Sequence, residues 1–562
     1  MGRRLPGAAA ILGLALCAFL LVSSAAGPSR DFWAPGDPGA RADELLEGMS
    51  DEEVLGQLFM LAYPGDTPPP LLFDWIGKRG LGGIKIFGWN AEDTTKVAEA
   101  VAALQKAALA SGRKVPLLIA TDQEGGWIRH VKGATSQTPG NMAIGASGRP
   151  YDAYWSGYYI ARELEALGIN MNFAPAVDLA TRPKSSIIGP RAFSDDPEES
   201  AALGVAYYRG TAAAGLIATA KHFPGHGDTE LDSHGTLPVI RTGEKTLWER
   251  ELVPFRALAA EGVPAVMSGH LNFPLVSGDS LPASLSRHFM TDILRGRLGF
   301  QGVAVTDDLM MAGAAGAGAS SLSEAFYLAV EAGNDLLESS RIMALDDPAW
   351  TRLLSAYRSK PAFRARVREA ARRVLVLKLD YLRPKGPKAL VPDPGRLGER
   401  LPDREGEAFF RGQAFRGASA LDAERLPWKP SGKILVAAPF ADFLEAAAAA
   451  FPGAARHKFS YRPESAALPE ELAAFERAAA SADAVLVCAP NEAGMDFFAR
   501  AKALGKRVAV VSVFSPAPLS RCGPEDAAVA VYGNSRACFD AGLAALKGEE
   551  AAEGRLPVKL SR

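Results

Sequence analysis

The sequence predicts an α/β protein: a (β/α)8 TIM-like barrel followed by a smaller C-terminal α/β sandwich domain. Three observations carry that expectation. From about residue 50, short apolar runs alternate eight times with longer stretches of helical spacing. Polar residues close those runs: Asp122, Asp178, Lys221 with His222, Ser268 with His270, Asp307 and Glu338. A later group of apolar runs alternates with Ala-rich helical stretches. Counting alone also admits a doubly wound sheet, but strand-end polar groups that converge on one face belong to a barrel, whose active sites are built there.

Residues 1–27, MGRRLPGAAAILGLALCAFLLVSSAAG, have the layout of a secretory signal, with Arg3 and Arg4 before an apolar run from Ala8 to Val22 and small residues after it. The run falls short of the roughly 20 apolar residues a membrane helix needs. Cleavage is therefore the first reading, an uncleaved anchor the second, and the destination secreted or periplasmic. Leu16, ahead of Cys17, is too large for a typical lipoprotein signal, and no second apolar span follows.

The barrel is placed at residues 40–385. Its strand candidates are QLFMLAY near 57, GGIKIFG near 82, VPLLIATD from 115, NMNFAPAVDL from 170, LIATAKHF from 216, PAVMSGH from 264, GVAVTDD from 302 and NDLLES from 334. Between them lie helical stretches such as AEDTTKVAEAVAALQKAALA and PYDAYWSGYYIARELEALG. Ser50 and Glu53 form an S-x-x-E capping box that starts an early helix. Residues 386–404, crowded with Pro, Gly and charge, read as a linker. Residues 405–562 carry KILVAAP, ADAVLVCAP, RVAVVSVFSP and AAVAVYG, the strands of the second domain.

With 62 basic and 64 acidic residues among 562, and no block of like charge, the chain has no electrostatic footprint for nucleic acid. A small uncharged or mixed substrate fits better. Four cysteines are too few for a disulfide framework at this length, so Cys488, Cys522 and Cys538 read as buried thiols, with one disulfide as the alternative.

Three of the seven histidines fall in KHFPGHGDTELDSHGTLP, residues 221–238. His222 and His226 are four apart, but Pro224 and Gly225 between them rule out the helix that would align them on a metal. A metal held by an irregular loop, using His222, His226 and His234, stays open. Asp232 and His234 flank one residue, so in an extended segment both point to one side, and a carboxylate beside an imidazole makes an acid/base dyad. A polar loop capped by its own side chains is the plainest reading.

The stretch resembles the signature of family 3 glycoside hydrolases, in the bacterial β-N-acetylglucosaminidase branch. TDQEGG at 121–126, PGNMAIGA at 139–146, NFAPAVDL at 172–179, IIGPRAFSDDP at 187–197 and VTDDLMM at 305–311 resemble further family motifs in order, over about residues 45–380. The resemblance implies retaining, exo-acting hydrolysis of terminal β-linked GlcNAc in peptidoglycan or chitin-type fragments. It implies Asp307 as nucleophile, His234 as general acid/base with Asp232 as its partner, and Asp122, Arg191, Lys221 and His222 as sugar contacts. It implies a small carbohydrate substrate and neither a metal nor another cofactor. For Arg191 a loop salt bridge with Asp195 or Asp196 is the plain alternative, and for Lys221 and His222 a strand-end ion pair with a neighbouring Asp.

One departure stands out. The family commonly has an arginine four residues after the second Gly of DQEGG, whereas this chain has His130 there and Arg129 one earlier. On extended backbone that shift turns the guanidinium to the other side. An acid/base within the barrel leaves the second domain to stabilise or shape the site. Alternatives on the same scaffold are a phosphorylase or a β-glucosidase; those of another class are a metal-dependent hydrolase and a non-catalytic sugar-binding protein.

Overall fold

The structure is a computed structural model, and it describes residues 31–560 apart from 183, 184, 186, 230–232, 234, 316–318 and 465. Residues 1–27, read as a signal, lie outside the described residues, as do Asp232 and His234. No helix among the described residues is long and apolar enough to cross a membrane.

Eight parallel strands form the first sheet: β1 (Phe59–Leu61), β2 (Gly83–Ile86), β3 (Leu118–Thr121), β4 (Met171–Asn172), β5 (Ile217–Phe223), β6 (Ala265–Ser268), β7 (Val303–Thr306) and β8 (Leu337–Ser339). Each falls in one of the eight expected runs. Neighbours in sequence are neighbours in the sheet, β8 pairs with β1, and a bridge between Val305 and Leu336 brings β7 to β8, so the sheet curls into a barrel.

Strand alternation decides what lies inside. Leu118 and Ala120, Ala265 and Met267, and Val303 and Val305 fill the interior with Met60, Met171 and Phe173, while Ile119, Val266 and Ala304 pack against the helices. Carried one step further along the inward series, the same alternation delivers Lys85, Asp122, Lys221, Asp307 and Glu338 to the C-terminal mouth. These polar side chains are the top layer of an otherwise apolar interior.

The early helix starts on the expected capping box, with Ser50 and Glu53 exchanging side-chain and backbone hydrogen bonds. Segment 386–404 is more than a connector. Leu390 joins Leu382, Val374 and Leu377 in plugging the bottom of the barrel, and Leu397 and Leu401 are buried in the main core. Pro and Gly obscured three well-spaced leucines.

Near this end Lys378 is fully buried, with its ammonium on Gln57 Oε1 at 2.9 Å. Burial lowers its pKa from 10.5 to about 7. Between those two values the unfolded chain holds a proton that the folded chain has released, so stability rises with pH across the window and the full penalty remains below it. Lys378→Met is expected to raise stability at pH 6 by roughly 1–4 kcal/mol, with the gain over wild type shrinking towards pH 10. Thermal melts at both pH values check this.

The second sheet has strands β9 (Ser419–Ala420), β10 (Ile434–Ala438), β11 (Ala455–Lys458), β12 (Ala484–Ala489), β13 (Arg507–Ser512) and β14 (Ala527–Ala530), in the order β9-β14-β13-β12-β10-β11. All pairs are parallel except β9 with β14. One face packs on Met142, Ala146, Ile188 and Ala192 of the barrel loops, the other under helices that include Ala441–Ala450 and Arg536–Lys547. Cys488, Cys522 and Cys538 are free and buried here.

Polar ties join the two units. Arg416 grips buried Asp152, and Gln413 bonds Ser156 Oγ at 2.8 Å. Residues 555–559 run back onto the barrel loop that follows Arg191. Ser194 Oγ and Asp195 N–H both donate to the Pro557 carbonyl, and Lys559 N–H donates to Asp195 at 2.9 Å.

Candidate active site

At the C-terminal mouth of the barrel lies a cavity of about 440 Å³, a volume usual for small-molecule sites. Its described lining includes Asp122, Glu124, Arg191, Lys221, His222 and Asp307, and also His130, Ser233, Glu338 and the aromatic rim of Phe87 and Trp89.

Local irregularities aim these groups. Opposite β6, Ala220 pairs with Val266 and Phe223 with Ser268, so three steps on β5 match two on its neighbour. Such a bulge adds a residue and re-aims side chains, which is how consecutive Lys221 and His222 both reach the cavity. In the TDQEGG segment, Gly125 and Gly126 take positive φ, and a Cβ on Gly126 would meet Gly140 Cα at 2.8 Å. The hairpin Gln123–Gly125 with Ile128–Arg129 turns there, carrying Glu124 at its start and His130 just after its end.

The charges interlock. Asp122 takes the ammonium of Lys221 on Oδ1 and that of Lys85 on Oδ2. Glu124 accepts both arms of Arg191, at 2.7 and 2.9 Å, and the ammonium of Lys221 at 2.6 Å. Arg191 thus pairs with Glu124 across the cavity, and not with Asp195 or Asp196 as the plain alternative had it. Asp195 is taken by the chain tail, and Asp196 caps the helix Pro197–Ala213. Burial would raise the carboxyls of Asp122 and Glu124, but Lys221 and Lys85 hold the first well below its ordinary value, and Arg191 and Lys221 lower the second.

His222 meets Asp178 through Nδ1 at 2.7 Å and Arg191 through Nε2 at 3.2 Å. Arginine only donates, so Nε2 accepts and the ring hydrogen sits on Nδ1, facing Asp178. With both nitrogens engaged, His222 braces Arg191. The strand-end ion pairs and the proposed sugar contacts are therefore the same residues. Asp178 is fully buried and also accepts the backbone N–H groups of His222 and His226. Burial lowers the His226 ring to about 4, with His222 adding to the shift, and its Nδ1 has no partner among the described residues.

Asp307 continues β7. Its Oδ1 accepts the N–H of Asp308 at 2.9 Å, and its own N–H is tied to the Ser268 carbonyl. Burial pushes its carboxyl up, but the His222 and His270 rings, the Asp308 N–H and Lys221 outweigh it and bring the value below the ordinary one. Asp308 serves the backbone, accepting from Met310 N–H and Ser340 N–H. Ser268 turns to Asn334 and His270 to Ser284 and the Asp308 carbonyl, so both support the floor from behind.

At the departure from the family pattern, Arg129 points away and donates to Thr135, as its one-residue offset predicts, while His130 lines the cavity 3.7 Å from Asp122. Burial lowers the His130 ring to about 4, Asp122 opposing. Lys85 and Glu124 were missed as site residues. The signal for Lys85 was a lone lysine inside an apolar strand, on the inward parity of GGIKIFG.

Residues 52–377 match the family model described as the glycosyl hydrolase family 3 N terminal domain. The chain belongs to glycosyl hydrolase family 3. It is 37% identical over 306 residues to Beta-hexosaminidase A of Pseudoalteromonas piscicida, covering 49% of this chain and 51% of that protein, and so spans about half the length of that relative. It is 38% identical over 267 residues to a Beta-hexosaminidase of Xylella fastidiosa strain M23, covering 46% of this chain and 77% of that one. The solved structure of a family 3 beta-N-acetylglucosaminidase from Paenibacillus sp. str. FPU-7 superposes with a TM-score of 0.83 at 31% identity, over 91% of this chain and 99% of that one. The family expectation and the expected fold class, barrel plus smaller C-terminal α/β unit, are both borne out.

Proposed function

We propose that this chain is a retaining exo-β-N-acetylglucosaminidase, exported from the cytoplasm, that removes terminal β-linked GlcNAc from peptidoglycan or chitin-type fragments. Asp307 attacks the anomeric carbon while His234, steadied by Asp232, gives a proton to the leaving oxygen. A water then surrenders its proton to His234 and displaces Asp307 from the covalent glycosyl-enzyme. Asp122, Arg191, Lys221 and His222 hold the sugar, the charged groups supplying the stronger class of hydrogen bond.

One observation carries this reading. Ser233, the residue between Asp232 and His234 in sequence, lines the same cavity as Asp307, and its carbonyl accepts the N–H of Gly313 at 3.1 Å, just beyond β7. Ser233 is thus held beside the proposed nucleophile, which supports an acid/base contributed by its sequence neighbours. For a metal reading, His222 would have to give up Asp178 or Arg191 to free a nitrogen, and the guanidinium repels a cation.

Purified protein is expected to release 4-nitrophenol from 4-nitrophenyl β-N-acetylglucosaminide at the same rate before and after EDTA, with β-GlcNAc as the first anomer seen by NMR. An α product defeats the retaining mechanism, and loss of activity on chelation restores the metal-dependent reading. Sugar 1-phosphate formed in phosphate buffer identifies a phosphorylase.

A further inference from the structure

One carboxyl facing the cavity has no part in the chemistry above. Glu338 follows Leu336 on the inward parity of β8, is buried, and lines the cavity together with Asp122 and Asp307. Its Oε1 lies 3.5 Å from Lys85 Nζ, while its buried Oε2 has no hydrogen-bond partner among the described residues. Its acidic neighbours are better served: Asp122 has both oxygens on lysines, Glu124 has Arg191 and Lys221, and Asp308 takes two backbone amides. Lys85 is committed to Asp122 and lies 4.1 Å from the centre of the Phe173 ring, so it does not complete Glu338. A buried polar atom left unpaired is costly and calls for an explanation.

We infer that Glu338 is a further substrate-contacting residue, whose free oxygen meets a hydroxyl of the sugar bound in the cavity. The inference rests on the glycosidase reading and adds a specificity contact to it. A hydroxyl both gives and accepts a hydrogen bond, whereas an acidic substituent at this point would confront Asp122, Asp307 and Asp308. The ligand is therefore a neutral pyranose at this position and not a uronic acid. Burial raises the Glu338 carboxyl well above its ordinary value, with Lys85 opposing and Asp122, Asp308 and Asp307 reinforcing. The protonated form offers an O–H, which a glutamine amide imitates.

The test compares wild type, Glu338→Gln and Glu338→Leu on 4-nitrophenyl β-N-acetylglucosaminide and on its 3-deoxy, 4-deoxy and 6-deoxy analogues, with thermal melts confirming the fold. Glu338→Gln is expected to stay within about threefold of wild type, and Glu338→Leu to lose roughly tenfold to a hundredfold in kcat/KM on the parent substrate. On one deoxy analogue that loss shrinks to less than about threefold, because the partner hydroxyl is already gone. An equal loss on all four substrates, or no loss on any, overturns the inference. If Glu338→Leu does not fold, Glu338→Ala takes its place. If wild type turns over none of the four, the glycosidase reading fails, and calorimetric binding of GlcNAc to wild type and variants decides on Glu338 alone: equal affinities overturn the contact.

Discussion

Asp307→Asn is expected to lower kcat on 4-nitrophenyl β-N-acetylglucosaminide by about a thousandfold or more while leaving the melting temperature close to wild type. The asymmetry follows from its surroundings. Among the described residues the Asp307 side chain makes one hydrogen bond, accepting the Asp308 N–H, and an amide oxygen can take its place. The His222 and His270 rings, the Asp308 N–H and Lys221 hold its carboxyl below the ordinary value, and Lys221 is not an anchor for the loop. Asparagine preserves shape and loses the nucleophile. Asp307→Gly should regain turnover in azide and yield the α-glycosyl azide, since an external anion then enters from the face the carboxylate occupied. Because its carboxyl lies below the ordinary value, protonation of Asp307 should not impose an acid limb on kcat above about pH 4. Retention of more than a tenth of wild-type activity in the asparagine variant would remove Asp307 from the proposed mechanism.

Asp178→Ala is expected to cost about 3–5 kcal/mol of stability, enough to leave much of the chain unfolded at 37 °C, and to abolish activity in what remains. Three donors lose their acceptor at once: the backbone N–H groups of His222 and His226 and the Nδ1–H of His222. The His222 ring is then free to turn, and Arg191 loses its brace. Burial raises the Asp178 carboxyl, but the His222 and His226 contacts bring it far below 3.8. A depressed carboxyl contributes stability that is fully present above the unfolded value and is lost as pH falls towards the folded one. The difference in melting temperature between wild type and Asp178→Ala should therefore be largest near neutrality and shrink below about pH 4. Equal melting temperatures at pH 7 would show that the two histidine amides find other acceptors.

Much of this was legible before any coordinates. The eight strands announced themselves because a barrel strand is apolar on both faces, so each reads as an unbroken run closed by a polar residue. The polar closures pointed to the mouth, and Asp307, Asp122, Lys221, His222 and Arg191 do gather there. Other features have no local signature. The pairing of Arg191 with Glu124 spans 67 residues, whereas inspection of the loop sees only Asp195 and Asp196. The β5 bulge depends on the register against β6, a relation between strands. Lys85 looked like an interruption in a strand, and it takes the pairing of β2 with β3 to set it beside Asp122 and the closure of β8 onto β1 to bring Glu338. The proposed dyad, Asp232 with His234, rests on the sequence and on the mooring of Ser233.

The return of residues 555–559 to the barrel has a consequence for the loop that carries Arg191. Pro557 and Lys559 fasten Ser194 and Asp195, three and four positions beyond the arginine that grips Glu124. Residues 555–559 thus tie the second domain to the loop that carries Arg191, and Lys559→Pro, which removes the amide held by Asp195, is expected to weaken that tie.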